Sequence, residues 1–126
     1  MKKKIIRTEK APQALGPYSQ GVDTGDLIFV SGQVAINPAT GKIEANDIAA
    51  QTRQVLANIK GILDEAGLDF EHVMKATVYL ASMDDFQVMN QVYAEHFTAN
   101  QPARAAFEVS RLPLDALVEI EAIARR

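Results

Sequence analysis

Residues 101–109 read QPARAAFEV. The proline ends whatever precedes it, and the run after it is apolar at almost every position, as in a buried strand. Arg104 near its start and Glu108 near its end break that pattern. On strict alternation Arg104, Ala106, Glu108 and Ser110 share one face, and Ala105, Phe107 and Val109 the other. The apolar set suits the core, which turns Arg104 toward a second face of the sheet.

Downstream, LPLD (112–115) is a turn, and residues 117–124 form the next strand. Val118, Ile120, Ala122 and Ala124 take its core side, and Glu119, Glu121 and Ile123 take the second face. Upstream, SMDDFQVMNQVYAEHF (82–97) reads as a helix that packs Phe86, Met89, Tyr93 and Phe97. Ser82 is its candidate N-cap, with Asp85 in a capping-box position. HVMKATVYLA (72–81) is a strand, with Met74, Ala76, Val78 and Leu80 on one face.

Residues 47–66 carry Ile48, Thr52, Val55, Ile59, Ile62 and Ala66 at helical spacing. Asn46 or Asp47 caps its start, and Gly67 suits the left-handed position after its end. DLIFVSGQVAI (26–36) is a strand with Ile28, Val30, Gly32, Val34 and Ile36 on one side and Leu27, Phe29, Ser31, Gln33 and Ala35 on the other. NPATGK (37–42) is a turn. Residues 2–8 form a first strand, and APQALGPYSQG (11–21) is an ordered loop entering the next.

The order β-β-β-α-β-α-β-β predicts a single α+β domain over residues 1–126, with two helices packed on one face of a mixed sheet. The other face mixes Leu27, Phe29, Ala35, Tyr79 and Ile123 with polar residues, which predicts packing against another subunit. It also gathers Arg104 and three carboxylates. Two readings of that cluster stand. Arg104 pairs with Glu119 or Glu121 across strands, or it is an anion site whose planar fork grips a carboxylate while a nearby Glu handles water.

Composition narrows the classes. The chain has 126 residues, 48% of them apolar, no cysteine and a formal net charge of −3. Without cysteine there is no thiol nucleophile, disulfide or Cys-ligated zinc. Net acidity predicts no nucleic-acid partner. No run reaches the length that spans a bilayer, and no apolar segment follows the basic N-terminus, so the expected location is cytoplasmic. His72 and His96 show no metal-ligand spacing, and TGK (40–42) lacks the rest of a phosphate loop.

PARAAFEVSRL followed by VEIEAIA resembles the signature of the Rid family, also called YjgF, the reactive intermediate deaminases. APQALGPYSQG, VSGQ, NPATGKI, QTRQVLANIKGIL and TVYLASMDDFQVMNQVY agree in order, so the resemblance covers nearly the whole chain. It implies a chorismate-mutase-like fold whose sheets form the central barrel of a homotrimer, with ligand sites between subunits. It implies hydrolysis of 2-iminobutanoate and 2-iminopropanoate to 2-keto acids and ammonia, with no metal or organic cofactor. Its site residues fall here on Arg104 for the substrate carboxylate, Glu119 for the attacking water, and Tyr18, Ser31, Gly32 and Asn90 for the pocket. Ala106 stands where many members carry cysteine; its backbone carbonyl would face the imine nitrogen. Two alternatives are a non-catalytic keto-acid-binding regulatory trimer and an endoribonuclease or RNA-binding protein.

Overall fold

A computed structural model describes residues 2–126. Strands β1 (Lys4–Ile6), β2 (Gly21–Asp23) and β3 (Leu27–Gln33) lead into a two-stranded ribbon, β4 (Ile36–Asn37) and β5 (Lys42–Ile43). Helix α1 (Ile48–Glu65), strand β6 (Val73–Leu80), helix α2 (Phe86–His96), and strands β7 (Ala103–Glu108) and β8 (Val118–Arg125) follow. The predicted order holds, with the small ribbon as an addition where a bare turn was expected.

Six strands form one sheet in the order β1-β2-β3-β8-β6-β7. β7 pairs with β6 in parallel, whereas the other neighbours in this sheet are antiparallel. The parallel step follows from α2, which carries the chain back to the start of the sheet between β6 and β7. Both helices join one core with the sheet: Val55, Leu56, Ile59, Ile62 and Leu63 from α1 and Met89, Val92 and Tyr93 from α2 are buried in it. Val118, Ile120, Ala122 and Ala124 are buried as predicted.

Asp47 caps α1 through Ala50 N–H at 2.8 Å, and Gly67 follows it at φ 76°. Ser82 also caps, but it caps a separate 3-10 turn at Met83–Asp85, and Asp85 makes no side-chain capping bond to α2. The 3-10 turn uses up the residues that periodicity assigned to the first turn of the helix.

Three strand faces differ from strict alternation. In β3 the register to β8 shifts between Val30 and Gln33, so Gln33 pairs with Ile120 and is buried while Gly32 is exposed. A bulge adds one residue and exchanges the faces beyond it, which reverses the predicted sides of Gly32 and Gln33. In β6 a shift between Val73 and Lys75 buries Val73 and leaves Met74 47% exposed. In β7 the phase is opposite to the prediction. Arg104 pairs with Ala76, Ala106 with Val78 and Glu108 with Leu80, all core-side positions of β6. Phe107 instead pairs with Tyr79 on the second face, their rings meeting edge to face at 5.2 Å.

The second face carries Phe29 at 41% and Phe107 at 45% exposure, beside the half-buried Leu27, Tyr79 and Ile123. Glu119 and Glu121 lie on it too, paired with Tyr79 and Thr77. No helix among the described residues is long and apolar enough to cross a membrane.

Candidate functional site

Arg104 reaches over the helix side of the edge strand. Its Nη1 donates to Asn90 Oδ1 at 2.7 Å, and its guanidinium carbon lies 4.7 Å from the Tyr93 ring centre and 5.6 Å from that of Phe86. Asn90 and Tyr93 are three residues apart on α2 and so share one helix face. The stem of Arg104 packs while its head finds an acceptor and two aromatic faces, which is how an arginine occupies a core-side strand position. With Nη1 held by Asn90, Nη2 and Nε remain for a ligand, and a guanidinium edge is the shape that grips a carboxylate. This recess measures about 390 Å³ and is lined also by Gln101 and Pro102. Tyr93 is only 7% exposed, and its hydroxyl is buried without a hydrogen-bond partner. Burial pushes the Tyr93 phenol up, and the Arg104 charge pulls it partly back.

Glu119 sits on the opposite face of the sheet. A recess of about 340 Å³ there is lined by Tyr18, Gly32, Gln33, Leu114 and Glu119, among others. Gly32 backs the carboxylate: a Cβ at that position would lie 3.0 Å from Glu119 Cδ and closer still to its Oε2. Only a residue without a side chain leaves Glu119 where it is. Burial raises the Glu119 pKa above the ordinary carboxylate range, and the neighbouring Glu121 charge raises it further. A half-buried carboxylate without an arginine partner is free to accept a hydrogen bond or a proton from a ligand in that recess.

The loop bearing Tyr18 is fixed to β3 by Ser31, whose Oγ donates to Ser19 O at 2.5 Å and whose N–H donates to Gln20 O at 3.0 Å. Gln20 is itself buried. Its Oε1 accepts from Thr8 N–H at 2.7 Å, and its Nε2 donates to Pro12 O at 2.8 Å and Thr8 O at 3.0 Å. Ser31 thus holds the loop, and Tyr18 itself is exposed at the rim.

The seven residues singled out from the sequence fall into two groups. Tyr18, Gly32 and Glu119 line one recess, with Ser31 tying the loop beside it. Asn90 and Arg104 line the other, and Ala106 follows two residues on, packed against the core. Arg104 and Glu119 were expected on one face; the β7 phase separates them, and Arg104 pairs with neither Glu119 nor Glu121. Glu108, the third carboxylate assigned to that face, instead accepts from Met83 N–H at 2.9 Å. Gln20, Tyr93 and Phe86 were not anticipated as site supports. Tyr93 had a signal, its position one turn after Asn90, while the buried Gln20 had none. Among the described residues there is no His, Asp or Glu cluster suited to a metal ion.

The chain is similar to known proteins over nearly its whole length. Residues 8–126 match the family model described as Endoribonuclease L-PSP. A protein of Pyrococcus horikoshii named RutC family protein is 57% identical over 122 residues, covering 97% of each chain. The 2-iminobutanoate/2-iminopropanoate deaminase of Escherichia coli K12 is 50% identical over 126 residues, covering 98% of each. The crystal structure of Escherichia coli TdcF with bound serine superposes with a TM-score of 0.92 at 46% identity, again covering 98% of each chain. With its α+β architecture and both recesses built from the predicted motifs, the chain belongs to the endoribonuclease L-PSP family, also known as the YjgF or Rid family.

Proposed function

We propose that this protein hydrolyses 2-imino acids, such as 2-iminobutanoate and 2-iminopropanoate, to 2-keto acids and ammonia. It does so as a homotrimer in which one subunit's Arg104 faces the neighbouring subunit's Glu119. The observation that carries the reading is that a guanidinium with a free edge and a carboxylate of raised pKa lie on opposite faces of one sheet. Apart, neither recess completes a reaction. Joined across an interface, they supply the groups that imine hydrolysis requires. The exposed Phe29 and Phe107 favour such joining, since they remove apolar area from water when the second faces meet in a barrel.

In the assembled site Arg104 fixes the substrate carboxylate. The protonated imine carbon is then open to water. Glu119 takes a proton from that water as oxygen bonds to carbon, giving a tetrahedral carbinolamine. It returns the proton to nitrogen and then accepts the hydroxyl proton as the C–N bond breaks, so ammonia leaves, the carbonyl forms, and the proton passes from Glu119 to solvent or ammonia. The imine is already electrophilic, so positioning and one proton carrier suffice. The chemistry calls on no cofactor, and a small diffusing substrate suits a cytoplasmic enzyme. The named activity of the Escherichia coli relative supports this reading.

A second reading, a regulatory oligomer that binds keto acids without turning over imines, is favoured by the serine bound to TdcF, a ligand with the same α-carboxylate. An RNA-directed role fits less well, because a chain of net charge −3 offers a polyanion no attractive field. The test is ammonia release while an amino-acid dehydratase generates imine in situ. Acceleration above the spontaneous rate supports the hydrolase. Its absence, with 2-ketobutanoate still bound in calorimetry, supports the regulatory binder.

A further inference from the structure

The turn before β8 holds a leucine in a conformation that leucine disfavours. Leu114 has φ 58° and ψ 24°, and Asp115 follows at φ 53°. A bulky side chain in the left-handed region is a genuine outlier, and such strain persists only where the surroundings fix it. The surroundings are visible. Arg111 Nε donates to Asp115 Oδ1 at 2.8 Å, and Nη2 reaches Oδ2 at 3.4 Å. Asp115 N–H and Ala116 N–H donate to Leu112 O and Pro113 O, both at 3.1 Å. Leu112 and Ala116 are buried on either side of the turn and anchor its ends.

What this closed turn presents is Leu114, 66% exposed, on the wall of the recess that contains Glu119. Pro12, Val34, Ile36 and Pro113 continue the same wall, and no lysine or arginine lines the recess. This wall offers no partner from its own chain to a substrate carboxylate, which the neighbouring subunit's Arg104 holds, and Glu119 repels an acidic side chain. The part of a substrate that fits beside Leu114 is an uncharged aliphatic group.

Building on the imine-hydrolase reading, we propose that Leu114 is the residue that reads the substrate's side chain, favouring 2-imino acids with longer aliphatic groups over the one with a methyl group. The strained turn fixes the leucine at the rim rather than letting it fold back onto Leu112 and Ala116. Each methylene added to the substrate then gains contact with Leu114 and loses contact with water.

The test compares selectivity, not rate alone. An amino-acid oxidase supplies the imines of alanine, 2-aminobutyrate and leucine in situ, and acceleration of keto-acid formation is measured for wild type, Leu114→Gly and Leu114→Asn. Glycine removes the side chain and relieves the backbone; asparagine tolerates the left-handed conformation and offers a polar head. One aliphatic carbon in a pocket is worth roughly tenfold or more in selectivity. The leucine-to-alanine ratio should therefore fall by about tenfold in both variants, while Leu114→Gly melts no lower than wild type. An unchanged ratio in either variant, or an equal loss on all three substrates, overturns the assignment and leaves the hydrolase standing. A wild type that accelerates none of the three overturns the hydrolase reading, and the role of Leu114 with it.

Discussion

Arg104 and Glu119 are carried by one sheet and project from its opposite faces. Arg104 stands beside Ala76 on the helix side of β6, whereas Glu119 stands beside Tyr79 on the other. Within a single chain the two cannot act on the same small molecule.

Mixing two inactive variants checks this arrangement. Arg104→Ala and Glu119→Gln are each expected to lose most imine hydrolysis, the second by about a hundred- to ten-thousand-fold as a proton carrier is removed. Refolded together, the two variants would mix within the proposed trimer, and about a quarter of its sites would combine an intact Arg104 with an intact Glu119. Ammonia release should recover toward that fraction. Continued inactivity of the mixture, with mixed oligomers verified by mass spectrometry, would place both groups in one subunit's site and contradict the geometry.

The Glu119 carboxyl titrates above the ordinary glutamate value of 4.5, because burial and then the Glu121 charge disfavour ionisation. Carbon-13 NMR of the side-chain carboxyls in wild type and Glu121→Gln reads this directly. The Glu119 midpoint should lie above 4.5 in wild type and move down in the variant, where one like charge is gone. A Glu119 midpoint that ignores the Glu121 substitution would show that the two carboxylates do not interact.

Tyr93 offers a separation of ring from hydroxyl. Tyr93→Phe keeps the platform under Arg104 and deletes a buried hydroxyl that has no partner, so it should gain on the order of 1 kcal/mol in denaturant unfolding. Tyr93→Leu removes the aromatic face, at a cost of about 1 kcal/mol in holding the guanidinium. KM for imine should rise several-fold in Tyr93→Leu and stay near wild type in Tyr93→Phe. Equal KM values for the two variants would deny the ring any part in positioning Arg104.

Arg126, just after β8, ties back to β2. Arg126 Nη2 donates to the buried Asp23 Oδ2 at 2.5 Å, and Arg126 Nη1 donates to Ala66 O at 2.8 Å. The N–H of Gly25 and then Arg126 depress the Asp23 pKa below its ordinary 3.8. A carboxyl depressed in the folded state contributes stability that is present above its unfolded pKa and is lost as pH falls through the folded one. Arg126→Ala should cost about 2 kcal/mol near neutral pH, with the deficit shrinking below pH 3.8. Urea unfolding at pH 7 and pH 3 measures it; a deficit independent of pH would mean the arginine acts only through Ala66.

Helices and buried strands were legible in the residues because burial and periodicity coincide there. β8 alternates without interruption, so Glu119, Glu121 and Ile123 fell on the correct side. Three places defeated alternation, each for a local reason. β3 adds a bulge after Val30, and the sequence VSGQ does not announce where the extra residue sits. β6 shifts at Met74, which reads as core by its apolarity alone. In β7 Phe107 outweighed Arg104 on hydrophobicity, yet Tyr79 offered the phenylalanine an aromatic partner outside the core while Asn90 and Tyr93 made the inside acceptable to arginine. Partners on other elements decided that phase, and nothing within residues 101–109 names them. The motifs singled out the candidate residues, but nothing in them announced their division between two recesses.

β7 lies at the margin of the sheet and is paired on one side only, in parallel, to a strand from which a whole helix separates it in the chain. As a strand with a ladder on one side only, it is more open to local fraying than the strands held on both sides. Arg104 travels with that margin, whereas Glu119 belongs to a central strand. A local opening at the sheet margin can therefore displace Arg104 while Glu119, clamped between β3 and β6, stays in place.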